Sequence, residues 1–162
     1  MELPVMQRLK KELDDLRHEL KTKLPKELEK ARAHGDLSEN AEYAAAKERQ
    51  GYVSARIAQM EQRIRELSLY SVESIPRDVI GYGSRVTLES LDDGETQTFE
   101  IVFPEEVDAA EGRISLGSPV GRALLNKEEG DEVEVQTPKG KRAYQIVELK
   151  TLHHRREGST SR

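Results

Sequence analysis

The chain has 162 residues, 35% of them charged and 35% hydrophobic, with aromatics at only 4% and no cysteine. Charged side chains are rarely fully buried, so this balance is lean for one compact globule and points to an elongated or partly disordered element. The lack of cysteine excludes disulfides, thiol catalysis and thiolate zinc sites, no apolar run approaches the roughly 20 residues of a membrane span, and Met1 to Leu20 lacks a signal-peptide core, so a soluble, cytoplasmic protein is expected.

The formal charge of −5 is unevenly spread: residues 72–134 carry 5 basic and 16 acidic side chains, whereas residues 1–71 are near neutral and residues 135–162 are basic. An acidic stretch of that size repels nucleic acid, whose affinity for proteins rests on phosphate neutralisation, so autonomous duplex binding is not expected. A basic or mixed protein surface is the better partner.

Residues 1–71 read as a helical hairpin. Met6, Leu9, Leu13, Leu16 and Leu20 alternate at 3 and 4, a heptad seam that Leu24, Leu28 and Ala31 resume after a one-residue slip beside Pro25, where a kink or break is expected. Val53, Ile57, Met60, Ile64 and Leu67 form a second seam, and Gly35 between the two ends the first helix. Two helices of about 30 residues make an antiparallel hairpin about 45 Å long, each narrow stripe covering the other. The Gly35 turn favours pairing within one chain, hence a monomer.

At the tip, Asp36-Leu37-Ser38-Glu39 has the spacing of a capping box, with Asp36 as N-cap and Glu39 at N3, and Glu39 and Glu42 complement a helix dipole. The same two carboxylates are also a fragment of a divalent-metal site, one that needs further oxygens from a partner because two ligands do not fill an octahedral shell. Spacing alone leaves both readings open.

Residues 72–80 read as a linker, and residues 81–152 as a β-rich domain. Val86 and Leu88 alternate, Asp92-Asp93-Gly94 turns, Phe99, Ile101 and Phe103 alternate again, and Ile114 and Leu116 continue. Ser118-Pro119 opens a short helix through Leu125, and Val133 and Val135 lead through Pro138-Lys139-Gly140 to Ala143, Gln145, Val147 and Leu149. About five strands and one helix make an antiparallel sheet with the helix packed on it, an α+β chain overall. Residues 153–162 are polar and basic and read as a flexible tail.

The run Ala31-Arg32-Ala33-His34-Gly35-Asp36-Leu37-Ser38-Glu39-Asn40-Ala41-Glu42-Tyr43, continuing through Ala46-Lys47-Glu48 to Gly51, resembles the bacterial GreA/GreB transcript cleavage factors, as do Ile114 to Val120, Ala123-Leu124-Leu125 and Lys127 to Gly130. The resemblance covers residues 3–152 and leans toward GreA. It implies an N-terminal coiled-coil hairpin with its acidic tip near residues 35–42 and a C-terminal FKBP-like domain that docks on RNA polymerase. The hairpin would then enter the polymerase's secondary channel, where the RNA 3′ end protrudes from a backtracked complex. Asp36 and Glu39 match the acidic pair that helps hold a second Mg²⁺ and orient the attacking water; the protein would be no enzyme itself but would lend carboxylates to the polymerase. Ser118 and Pro119 are candidate polymerase contacts, and Arg32, Tyr43, Lys47 and Arg49, with Arg56, candidate RNA contacts, against the plainer readings of helix capping and solvated helix charge. Two departures stand out: Glu2-Leu3-Pro4-Val5 replaces the family's Thr-x-x-Gly start, and Gly117 stands where relatives often carry Asn or Asp.

Three other readings compete. A Gre-like secondary-channel regulator would inhibit polymerase without stimulating cleavage. A peptidyl-prolyl isomerase would need an aromatic-lined pocket, for which this half offers only Tyr82, Phe99, Phe103 and Tyr144. A coiled-coil adaptor would carry no chemistry at its tip.

Overall fold

The computed structural model describes residues 1–35 and 40–160. The chain divides into two units, Glu2–Tyr70 and Ser71–Arg162 with Met1. Among the described residues no helix is long and apolar enough to cross a membrane.

The first unit is helical: α1 (Pro4–His18), a π-helical turn (Glu19–Lys23), α2 (Leu24–Arg32) and, beyond the tip, α3 (Ala41–Leu67). Pro4 supplies the first turn in place of the missing Thr-x-x-Gly pattern; its fixed φ suits a helix start, and Leu3 before it is fully buried. The expected seams bury Met6, Leu9, Leu13, Leu24 and Ala31 from one arm and Val53, Ile57, Met60 and Leu67 from the other; Val5 and Ala46, outside the expected stripes, are buried with them. Leu16, Leu20, Leu28 and Ile64 on the same stripes are half-buried. The slip before Pro25 does not break the helix but is taken up by a π turn, in which the Leu24 N–H donates to the Glu19 carbonyl five residues back.

The second unit is built on a five-stranded sheet of β1 (Arg85–Ser90), β2 (Thr96–Val102), β3 (Arg113–Ser115), β4 (Glu132–Thr137) and β5 (Gly140–Lys150), in the order β3-β2-β1-β5-β4. The sheet is mixed, not wholly antiparallel. Two short 3₁₀ turns, Pro104–Glu106 and Ala109–Glu111, carry the chain back, so that β3 enters alongside β2 in the same direction. The core joins Ile80, Val86, Leu88, Ile101, Val133, Val135 and Ile146 to Leu124 of the short helix α4 (Pro119–Leu124). Gly121 in that helix must be glycine, because a Cβ there would lie 2.2 Å from the Ser115 carbonyl oxygen.

Two further expectations in this unit are corrected. The alternation through Ala143, Gln145, Val147 and Leu149 breaks at a register shift between Thr87 and Leu88. Thr87 faces Glu148, Leu88 faces Ile146, and Val147 is left over, exposed, while Ile146 is fully buried. One extra residue in a strand turns every later side chain to the other face. The tail expected over 153–162 instead forms a helix, α5 (Leu152–Thr160). Leu152 and His153 are buried, an imidazole nitrogen of His153 lies 2.8 Å from the Ile75 carbonyl, and Arg155 Nη1 donates to the Gly83 carbonyl and to Glu100 Oε1, both at 2.8 Å. A charged composition hides these anchors because their partners come from far along the chain.

Glu100 Oε2 also accepts from Arg113 Nε at 3.4 Å. Burial pushes this carboxyl up, but the bonds and charges of Arg155 and Arg113 outweigh it and hold the group below the ordinary carboxylate range. Such a carboxylate stabilises the fold above its unfolded pKa of about 4.3, and the contribution fades as pH falls through the lower folded value. Urea titrations should therefore show wild type more stable than Glu100→Gln at pH 7, with the gap closing below about pH 4.3. The bulge gives a second expectation. Ile146→Ala should cost about 2–5 kcal/mol in chemical denaturation, and Val147→Thr within about 0.5 kcal/mol; equal costs would contradict the register.

Candidate functional site

Asp36 and Glu39, the sequence-derived metal pair, lie outside the described residues. The residues on either side of them build the frame of the tip. Gly35 has φ +122°, a left-handed conformation that side-chain-bearing residues resist. Beyond the tip α3 starts at Ala41, and its N-cap is Asn40, so the capping role expected of Asp36 at this helix falls four residues later. Asn40 Oδ1 accepts from the Tyr43 N–H at 3.1 Å, while its Nδ2 donates to the Ala31 carbonyl on the opposite arm at 2.6 Å. One side chain thus satisfies an orphan donor of α3 and an orphan acceptor at the end of α2. It thereby ties the end of α2 to the start of α3. The sequence carried a signal for this residue, since Asn is among the preferred N-caps, but the preceding Asp-x-x-Glu offered a stronger one.

Two further contacts cross the tip. The Arg32 guanidinium lies 5.9 Å from the Tyr43 ring centroid, and His34 Nε2 is 4.0 Å from Glu42 Oε2. The candidate RNA contacts therefore separate. Arg32 and Tyr43 sit together beside the tip, Arg32 exposed and Tyr43 half-buried, and Lys47 is exposed with its ammonium 3.3 Å from Gln50 Oε1. Arg49 and Arg56 face acidic groups of the other arm. Arg49 Nε and Nη2 donate to Glu19 Oε2 and Oε1 at 2.6 and 2.9 Å, and Arg56 Nη2 lies 3.5 Å from Glu12 Oε1. The Arg49 hydrogen bonds hold the Glu19 carboxyl below its ordinary range.

Ser118 and Pro119 belong to the second unit. Ser118 caps α4, its Oγ accepting from the Gly121 N–H at 3.0 Å and donating to the Ser115 carbonyl at 2.7 Å. Its hydroxyl is thus engaged within the fold, whereas Pro119 is exposed. Gly117 is exposed, and its N–H donates to Ser115 Oγ at 3.1 Å. The aromatics needed for an isomerase pocket are partly spent on packing: Tyr82 and Phe103 are buried and stack with centroids 4.6 Å apart, and the Tyr82 hydroxyl donates to Glu106 at 2.7 Å.

Among the described residues no group of three His, Cys, Asp or Glu side chains is placed to hold a metal ion. Asp36 and Glu39 are hard oxygen donors of the kind Mg²⁺ takes, and as a pair they fit only part of its shell. Asn40→Ala should cost about 1 kcal/mol of hairpin stability. Hydrogen exchange should quicken first at the Tyr43 and Ala44 amides; unchanged protection there would remove Asn40 from the frame.

Comparison with known proteins agrees with this anatomy. Residues 5–68 match the family model described as transcription elongation factor, N-terminal, and residues 75–151 the one described as transcription elongation factor, GreA/GreB, C-term. Transcription elongation factor GreA of Neisseria meningitidis serogroup A is 44% identical over 145 residues, 89% of this chain and 92% of its own. That of Azorhizobium caulinodans is 48% identical over 123 residues, covering 76% and 78%. A solved structure, the GreA factor homolog 1 protein of Thermus thermophilus, is 31% identical, covering 89% of this chain and 93% of its own at a TM-score of 0.41. On the two family matches and the full-length relatives, the chain belongs to the GreA/GreB family of transcription elongation factors.

Proposed function

We propose that this chain binds RNA polymerase, inserts its helical hairpin into the secondary channel and stimulates the polymerase's own cleavage of backtracked RNA, so that arrested complexes resume elongation. The observation that carries this reading is the clamped tip. Asn40 joins the arms next in sequence to a segment bearing Asp36 and Glu39, at the start of α3, a helix of 27 residues, about 40 Å. A long, narrow hairpin that buries its apolar surface in itself suits delivery of two carboxylates into a deep pore.

In that setting Asp36 and Glu39 supply oxygens to a second Mg²⁺, and the polymerase supplies the rest of the shell. When bound, the ion contributes charge that favours deprotonation of the attacking water and relieves the leaving oxygen. The protein's own share is positional. The Asn40 clamp ties the two arms, and Arg32 and Tyr43, which lie together beside it, would offer an extruded RNA end a cation and a stacking face. Ser118-Pro119 and the acidic middle of the chain serve docking on polymerase, with Ser118 acting through the cap it forms. The chain is a helper of the polymerase centre and not itself the catalyst.

The experiment is RNA 3′-end cleavage in stalled, backtracked complexes with Mg²⁺. Wild type should accelerate cleavage, and Asp36→Ala/Glu39→Ala should lose on the order of 100-fold of that stimulation while still binding polymerase. Binding without stimulation by wild type would instead mark a channel-occupying regulator. Stimulation retained by the double variant would remove the carboxylates from the mechanism.

A further inference from the structure

The one-residue slip in the first seam has a structural answer that bears on the tip. In a regular α-helix each residue advances about 100°, so an uncorrected extra residue before Leu24 would swing α2's stripe away from α3. The π turn over Glu19–Lys23 takes up that residue. As a result Leu13 before it and Leu24 and Ala31 after it are all buried, and both α1 and α2 pack on α3. Pro25 belongs beside such a turn, since its ring and missing N–H conflict with a regular α ladder.

A single π turn inside an α-helix is a rare departure from the regular ladder, found often at functional sites. Glu19 is the first residue of the turn, and it is half-buried. It takes a two-pronged bond from Arg49 on the opposite arm, and the Arg49 guanidinium also lies 5.2 Å from the Tyr52 ring centroid. The other cross-arm pairs named among the described residues, Arg17–Glu61 at 3.0 Å, Arg56–Glu12 at 3.5 Å and His34–Glu42 at 4.0 Å, are single contacts made by residues outside the turn. An exposed ion pair adds little stability, so the value of this one lies in geometry: the planar fork fixes Glu19 in one orientation.

We propose that the π turn, pinned across the hairpin by the Glu19–Arg49 pair, sets the rotational phase of the arm that leads to the tip, which makes Glu19 and Arg49 positioning residues. The consequence for cleavage rests on the function proposed above; the conformational part stands apart from it.

The test separates the two. Because the chain has no cysteine, spin labels can be placed uniquely on cysteines introduced at the exposed Glu29 and Glu48. Distances are then measured in wild type, Glu19→Gln, Glu19→Arg and the charge swap Glu19→Arg/Arg49→Glu, with helicity checked by circular dichroism. The wild-type distance should be narrow. It should broaden or shift in both single variants and return in the swap, and cleavage stimulation should fall on the order of tenfold in Glu19→Arg, recover in the swap and leave polymerase binding unchanged. Glu19→Gln folds without a like-charge clash, so it decides the matter should Glu19→Arg lose helicity. An unchanged distance in the folded single variants overturns the proposal. So does a swap that fails to restore the distance, and one that restores distance without cleavage gives Arg49 to the RNA. Should wild type not stimulate cleavage at all, the proposed function fails, while the distances still decide whether the pair sets the phase.

Discussion

The hairpin depends on a narrow apolar seam that has to face the opposite arm along its whole length. Each helix carries about one fully buried residue per turn or fewer, and most remaining positions are polar or charged, so any rotation of one arm exposes the stripe and brings charges into the interface. The stripe runs from Met6 to Ala31 on one arm and from Ala46 to Leu67 on the other. Because it is satisfied within the hairpin, the surrounding surface is free to be polar. That accounts for a composition in which charged and hydrophobic residues are equally common.

The other features of the first unit serve that seam. The π turn absorbs an extra residue that would otherwise break its phase, Glu19 and Arg49 bridge the arms at the turn, and Asn40 ties the arms at the tip end. The two arms are tied to each other by interactions that are individually small. A surface ion pair or an N-cap contributes about 1 kcal/mol or less to stability, yet each restricts how the loop-bearing ends sit relative to each other.

The second unit solves a different problem. A three-residue β3 and a short α4 cannot hold themselves, and they are fixed by backbone contacts that leave no room for error, as at Gly121 against the Ser115 carbonyl. The half-buried Glu100 collects Arg155 from α5 and Arg113 from β3, so one carboxylate links three elements. Acidic residues abound in this half, and this one has a structural duty.

The sequence by itself determined what depends on local repetition. Heptad spacing identified the two seams, alternation found Val86, Leu88, Val133 and Val135, Ser-Pro marked the start of α4, and the tip motif pointed to the family. All of these are written in neighbouring residues, where a period or a capping preference is visible along the chain. Only the tertiary structure decided the π turn that reconciles the slip at Pro25, Asn40 rather than Asp36 as the cap of α3, the bulge that buries Ile146 in place of Val147, the parallel β3, and the helix at residues 152–160. Each of these comes with a partner elsewhere in the chain: Arg49 for Glu19, Ala31 for Asn40, Leu88 for Ile146, Ile101 for Ile114, Glu100 for Arg155. Local propensity leaves two or more conformations close in free energy at such positions, and the contact that separates them exists only once the chain has folded.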